Sequence, residues 1–115
     1  MALIFTTKTP SKLLQEIKDG IDGGSIITWE YDSDGDFTHT PSQWYQKAYL
    51  RPKLYLGELR FGIINIPGTK LLSVNYAVYH GRFIEMMLSH FDSEFTNAKA
   101  TALKSEPDLF NIDKW

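Results

Sequence analysis

Trp44-Tyr45-Gln46-Lys47-Ala48-Tyr49-Leu50-Arg51-Pro52-Lys53-Leu54-Tyr55-Leu56 leads into Gly57, then Glu58-Leu59-Arg60-Phe61-Gly62-Ile63-Ile64. Both segments alternate residue by residue, the pattern of strands covered on one face. In the first, Trp44, Ala48, Leu50, Leu54 and Leu56 fall on one side. Tyr45, Lys47, Tyr49, Arg51, Lys53 and Tyr55 fall on the other. In the second, Leu59, Phe61 and Ile63 share the apolar side. Gly57 is the turn, and Pro67-Gly68 ends the second strand. Pro52 lacks a backbone donor, which predicts an edge strand, bent or broken there. For residues 41–48 the alternative is a short helix opened by Thr40-Pro41-Ser42-Gln43 as a capping box; the alternation favours strand.

Upstream, Ser25–Asp32 alternates Ile27, Trp29 and Tyr31 against Thr28, Glu30 and Asp32. Asp34-Gly35 predicts a type I′ hairpin, with Asp36–Thr40 as the return strand. Ala2–Phe5 is a short apolar run, read as a strand. Thr9-Pro10 reads as N-cap and first helical residue. Leu13, Leu14, Ile17 and Ile21 continue at helical spacing to the glycines at 20–24. Downstream, Ser73 is read as the cap of a long helix to about Phe95. Tyr76, His80, Phe83, Met87, Phe91 and Phe95 form its apolar stripe; Ala77, Ile84 and Leu88 widen it. Asn75, Arg82, Glu85, Ser89 and Asp92 fall on its solvent side. Gly81 costs about 1 kcal/mol there relative to alanine, and a close helix–strand approach is the expected reason.

These elements predict an α+β fold. About four or five antiparallel strands are covered on one face by a helix over about 73–95 and a shorter one over about 10–20. Residues 1–104 form the domain, and 105–115 a tail, docked or flexible, with Leu109, Phe110, Ile112 and Trp115 as its apolar residues.

The 115 residues suit one domain. Cysteine is absent, which excludes disulfide scaffolds, thiolate zinc sites and thiol nucleophiles. No run approaches the roughly 20 apolar residues of a membrane span, so no membrane is expected. The lack of cysteine and of a signal peptide points to the cytoplasm. The net charge of −2 conceals an uneven distribution. Residues 16–36 hold seven acids and one base, and residues 37–91 hold six bases and two acids. An acidic edge and a basic face follow if the fold keeps these blocks apart.

Few residues carry chemistry by motif. Asp32-Ser33-Asp34-Gly35-Asp36 departs from a calcium loop in the position of its glycine and in Gln43 where a glutamate belongs. It reads as a solvated hairpin tip, with no metal. The histidines His39, His80 and His90 have no zinc-site spacing. His80 and Glu85 stand about 140° apart around a helix. His39, His80 and Glu85 are the weak catalytic candidates, His80 acting with either of the others; the bland reading is a hydrogen-bonded core histidine at 80 and an ordinary strand histidine at 39. Glycine-rich phosphate loops, nucleophile elbows and paired-carboxylate motifs are absent, and no cofactor is expected.

Asp34–Trp44 with Leu50-Arg51-Pro52, and Tyr79–Asp92, resemble a group of small, stand-alone bacterial proteins of about this length. The resemblance implies a complete bacterial protein and assigns no site or activity.

The strongest candidate surface is the basic-aromatic one: Tyr45, Lys47, Tyr49, Arg51, Lys53, Tyr55 and Arg60. The leading expectation is a non-enzymatic module that docks onto a protein partner or a second copy, of inhibitor, immunity or regulator type, since segregated charge speeds association. The first alternative is single-stranded nucleic acid or phosphate, held by cations and stacked on tyrosines; the weakly acidic composition argues against it. The second alternative is a small enzyme using His80 with His39 or Glu85.

Overall fold

The computed structural model describes residues 1–65, 71–103 and 109–113, with Asn65 and 109–113 described by backbone alone. Along the chain follow β1 (Leu3–Thr6), α1 (Pro10–Asp22), β2 (Trp29–Tyr31), β3 (Phe37–His39), β4 (Tyr49–Tyr55), β5 (Glu58–Asn65), α2 (Ser73–Phe91), β6 (Asn97–Ala100) and β7 (Leu109–Asp113). The first six strands form an antiparallel sheet in the order β2-β3-β4-β5-β1-β6, and β7 adds in parallel to the end of β5. The fold is α+β as expected, with more strands than the four or five anticipated. The extra ones are β6, whose sequence Asn97-Ala98-Lys99-Ala100 has no apolar alternation, and β7.

Register explains the layers. Leu3 and Phe5 pair with Phe61 and Leu59, Leu50 with Ile63 and Phe37, and Trp29 with His39. These side chains therefore share one face, where they form a single core cluster with Leu13 and Ile17 of α1 and Tyr79, Phe83, Met86 and Met87 of α2. Phe83 is its hub: its ring lies 4.6 Å from Phe61, 4.9 Å from Trp29, 5.9 Å from Phe37 and 6.1 Å from Phe5. Such edge-on and tilted contacts bury aromatic area efficiently. Among the described residues, no helix lies on the opposite face.

Several local expectations are corrected. Residues 41–47 are neither strand nor helix but successive turns. Trp44 and Tyr45 both donate backbone N–H bonds to the Pro41 carbonyl, and Gln46 adopts φ +58. A left-handed residue breaks the pleat, so the alternation before Ala48 is not that of a strand. β4 is an interior strand, not an edge. Only Leu50 of β4 pairs with β3, so Pro52 faces an open side where its missing N–H costs nothing. Leu54 and Leu56, expected inside, are 48% and 104% exposed because the β4–β5 hairpin projects beyond the helices. Ile27 is 78% exposed because it precedes β2. The 32–36 turn is not type I′: Asp34 has negative φ, Gly35 has φ +83, and Gly35 N–H donates to the Asp32 carbonyl. This is a three-residue loop with a glycine bulge. Asp32 Oδ1 locks it by accepting the N–H groups of Asp34 and Asp36.

In α2, Leu72 rather than Ser73 is the N-cap, and the helix ends at Phe91 rather than Phe95. Its buried side is Tyr79, His80, Phe83, Met86 and Met87. Tyr79 and Met86 thus join the core, and Leu88 is 52% exposed. Gly81 has no close approach to explain it, since a Cβ there would meet nothing within 4 Å. The turn expected at Pro67-Gly68 and the docking of the tail side chains lie outside the described residues. No described helix is long and apolar enough to cross a membrane.

Candidate functional site

Two surfaces combine residues from separate parts of the chain. The first is the helix-free sheet face at the β4–β5 hairpin, which carries part of the expected basic-aromatic set. Alternation places Arg51, Lys53 and Tyr55 of β4 beside Glu58 and Arg60 of β5. The Arg60 guanidinium lies 4.4 Å from the Tyr55 ring centre and pairs with Glu58 at 2.7 Å. Lys53 Nζ lies 5.6 Å from the same ring. Arg51 grips the fully buried Asp36 with two bonds of 2.7 Å, Nε to Oδ1 and Nη2 to Oδ2. The carboxylate raises the guanidinium pKa further above its usual value.

The other members of the set stand apart. Tyr49 is only 4% exposed, and its register partner Ile64 and nearby Ile4 are buried too, so this end of the face is covered. Tyr45 and Lys47 lie in the 41–47 turns. The Tyr45 hydroxyl donates to Glu30, which raises the phenol pKa. The acidic and basic blocks therefore interlock: Asp36 meets Arg51, and Glu30 meets Tyr45. Asp32, Asp34 and Asp36 do converge, with ligand atoms within 4.8 Å of one another, but Arg51 already holds both Asp36 oxygens.

The second surface is a cleft of about 390 Å³ between α2 and the turns after β3. His39 lies on its floor, with Trp44 on one wall and Arg82, Glu85 and His90 on the other. His39 is 5% exposed and stacked 4.6 Å from the Trp29 ring. Its Nδ1 lies 2.7 Å from the Thr28 carbonyl. A carbonyl only accepts, so Nδ1 carries the proton and Nε2 the lone pair. Burial, chiefly, and the charge of Arg82 hold the imidazole pKa below its usual value, while the Thr28 bond and Glu85 oppose the shift. Arg82 and Glu85 form an ion pair of 3.2 Å at the rim. An adjoining lobe of about 330 Å³ shares Gln43, Trp44, Arg82 and Glu85, and reaches Gly81.

The cleft brings His39 and Glu85 together but not His80. That ring is buried, bonds the Met1 carbonyl through Nε2, and lines a different hollow beside Tyr76 and Ala100. His80 is thus buried and hydrogen-bonded, and the hollow it lines includes neither His39 nor Glu85. Trp44 and Arg82 had no signal in the sequence as members of a site. They meet because the Tyr79 hydroxyl donates to the Trp44 carbonyl and bonds Thr38, pinning the turn to α2.

The chain matches no protein-family model, and neither curated proteins nor solved structures match it.

Proposed function

We propose that the protein is a docking module that binds another protein through the helix-free face at the β4–β5 hairpin. One observation carries this reading: both arginines of that face are already neutralised, Arg60 by Glu58 and Arg51 by Asp36, and Arg60 and Lys53 lie against the Tyr55 ring. A phosphate backbone is held by cations that exchange counterions for phosphates. Cations locked in internal pairs offer little of that exchange. Arginine and tyrosine held rigid beside exposed leucine suit a protein interface, where such side chains supply most binding energy at small entropic cost. Leu56 at the hairpin tip is fully exposed and supplies the apolar anchor.

The test is affinity capture with the intact protein and with Leu56→Asp and Arg60→Ala, each checked for folding. A stoichiometric protein partner retained by the wild type and by Arg82→Ala, but lost by both hairpin variants, is the expected result. Salt-sensitive retention of a single-stranded oligonucleotide, lost in Lys53→Ala, would replace this reading with the nucleic-acid one.

A further inference from the structure

The cleft beside α2 contains groups whose binding capacity the fold does not exhaust. His39 Nε2 takes no hydrogen bond from the described residues, although the ring is held rigidly by Trp29, Tyr79 and the Thr28 carbonyl. The ring lines the cleft, so this oriented acceptor is open to an incoming donor. Trp44 packs against the core on one side but makes no ring contact with another aromatic side chain among the described residues, so the part of its indole lining the cleft has no stacking partner. The segment presenting it includes Gln46 at φ +58, a conformation that costs a non-glycine residue about 1–2 kcal/mol. Gly81 weakens α2, and a Cβ there would meet only open space. Packing gives it no reason, but Gly81 lines the adjoining lobe opposite Trp44, where a side chain would narrow the cleft.

The chemistry of these groups defines the occupant. His39 Nε2 and the Glu85 carboxylate are acceptors, so the ligand brings N–H donors. Arg82, paired with Glu85, offers the rim's donor to a ligand acceptor. Trp44 calls for a flat ring. The cleft of about 390 Å³ and its lobe of about 330 Å³ at Gly81 fall within the size range of small-ligand pockets. We propose that the cleft formed by His39, Trp44, Gly81, Arg82 and Glu85 binds a small planar nitrogen heterocycle carrying an amino donor. This site is separate from the β4–β5 hairpin and does not depend on the protein-docking reading.

The test uses the full-length, isotope-labelled protein, with adenosine as probe and purine riboside, which lacks the exocyclic amine, as control. Adenosine is expected to shift amide resonances of residues 39–45 and 81–90, with a Kd of about 1 mM or tighter. Purine riboside is expected to bind about tenfold more weakly, the worth of one lost hydrogen bond. Gly81→Leu is the decisive variant. It fills open space in a helix with a better helix former, so its Tm is expected to equal or exceed that of the wild type. Adenosine binding is expected to fall at least about tenfold in it. His39→Phe keeps the stacking ring but removes both the Nε2 acceptor and the Nδ1–H bond to Thr28; once its folding is verified, affinity is expected to fall by a similar factor. No shift at about 10 mM adenosine, shifts elsewhere on the protein, equal binding of the two purines, or undiminished binding by folded Gly81→Leu would each overturn the proposal.

Discussion

Arg51→Met tests whether this arginine serves a partner or the fold. The substitution keeps most of the apolar stem and removes the guanidinium. Asp36, with a fully buried side chain, then loses the two 2.7 Å bonds that offset its desolvation. Deleting one partner of a buried pair costs about 3–5 kcal/mol. Here the Arg51 side chain is 40% exposed, so water already screens it, and the loss falls to about 2–3 kcal/mol. In a chain of this size each kcal/mol moves Tm by about 4 °C, giving a drop of about 8–12 °C. Thermal unfolding followed by circular dichroism measures it. Lys53→Met, on the same face with no ion pair among the described residues, is the control and should stay within about 0.5 kcal/mol. Adding Asp36→Asn to Arg51→Met should recover part of the loss, because a buried amide is less costly than an orphaned carboxylate. The reasoning fails if Arg51→Met is as mild as Lys53→Met, for Arg51 would then be an ordinary surface cation.

Folding should also respond to pH through His39. Its folded pKa lies below the unfolded value of about 6.5, so its stabilising contribution is complete above that pH and is lost as pH falls toward the folded pKa. Tm measured from about pH 7.5 down to pH 5 should therefore fall less steeply in His39→Gln than in the wild type, and parallel curves would refute this. Phe83→Ala removes the aromatic hub and should cost about 3–5 kcal/mol by urea denaturation, the largest single-residue loss in the core. Tyr79→Phe deletes the hydroxyl that ties Thr38 and Trp44 to α2. A loss of about 1–2 kcal/mol is expected, with faster hydrogen exchange at the Trp44 and Gln46 amides. Gly57→Ala forces a side chain into φ +76 and should cost about 1 kcal/mol, although the space around it is empty.

The legible parts of the fold were those where burial and period coincide. Leu59, Phe61 and Ile63 alternate in a strand that runs through the middle of the sheet, and all three are buried. Leu13 and Ile17 mark the inner side of α1 for the same reason. Illegibility began where an element has no apolar pattern of its own. β6 reads Asn-Ala-Lys-Ala and is a strand because β1 offers it a free edge, so its pairing partner decides its conformation. The 41–47 segment failed oppositely. Its composition alternates, yet Tyr79, from an element more than 30 residues away, holds it as turns through Thr38 and the Trp44 carbonyl. The candidate surfaces divide in the same way. Tyr55, Lys53 and Arg60 were legible as a shared face because alternation and hairpin register are local. Trp44 facing Arg82 was not.

By itself, the sequence determined the α+β class, the positions of both helices, the β4–β5 hairpin and the absence of thiol chemistry, since these follow from periodicity, turn residues and composition. It also exposed the acidic and basic blocks, but their consequence was decided elsewhere. Only the tertiary structure set Asp36 against Arg51, covered Tyr49 at one end of the helix-free face, placed His80 and His39 on different hollows, and opened a cleft beside Gly81. Each of these depends on contacts between residues distant in the chain. Side-chain charge and hydrophobicity state what a residue needs, whereas packing decides which neighbour supplies it.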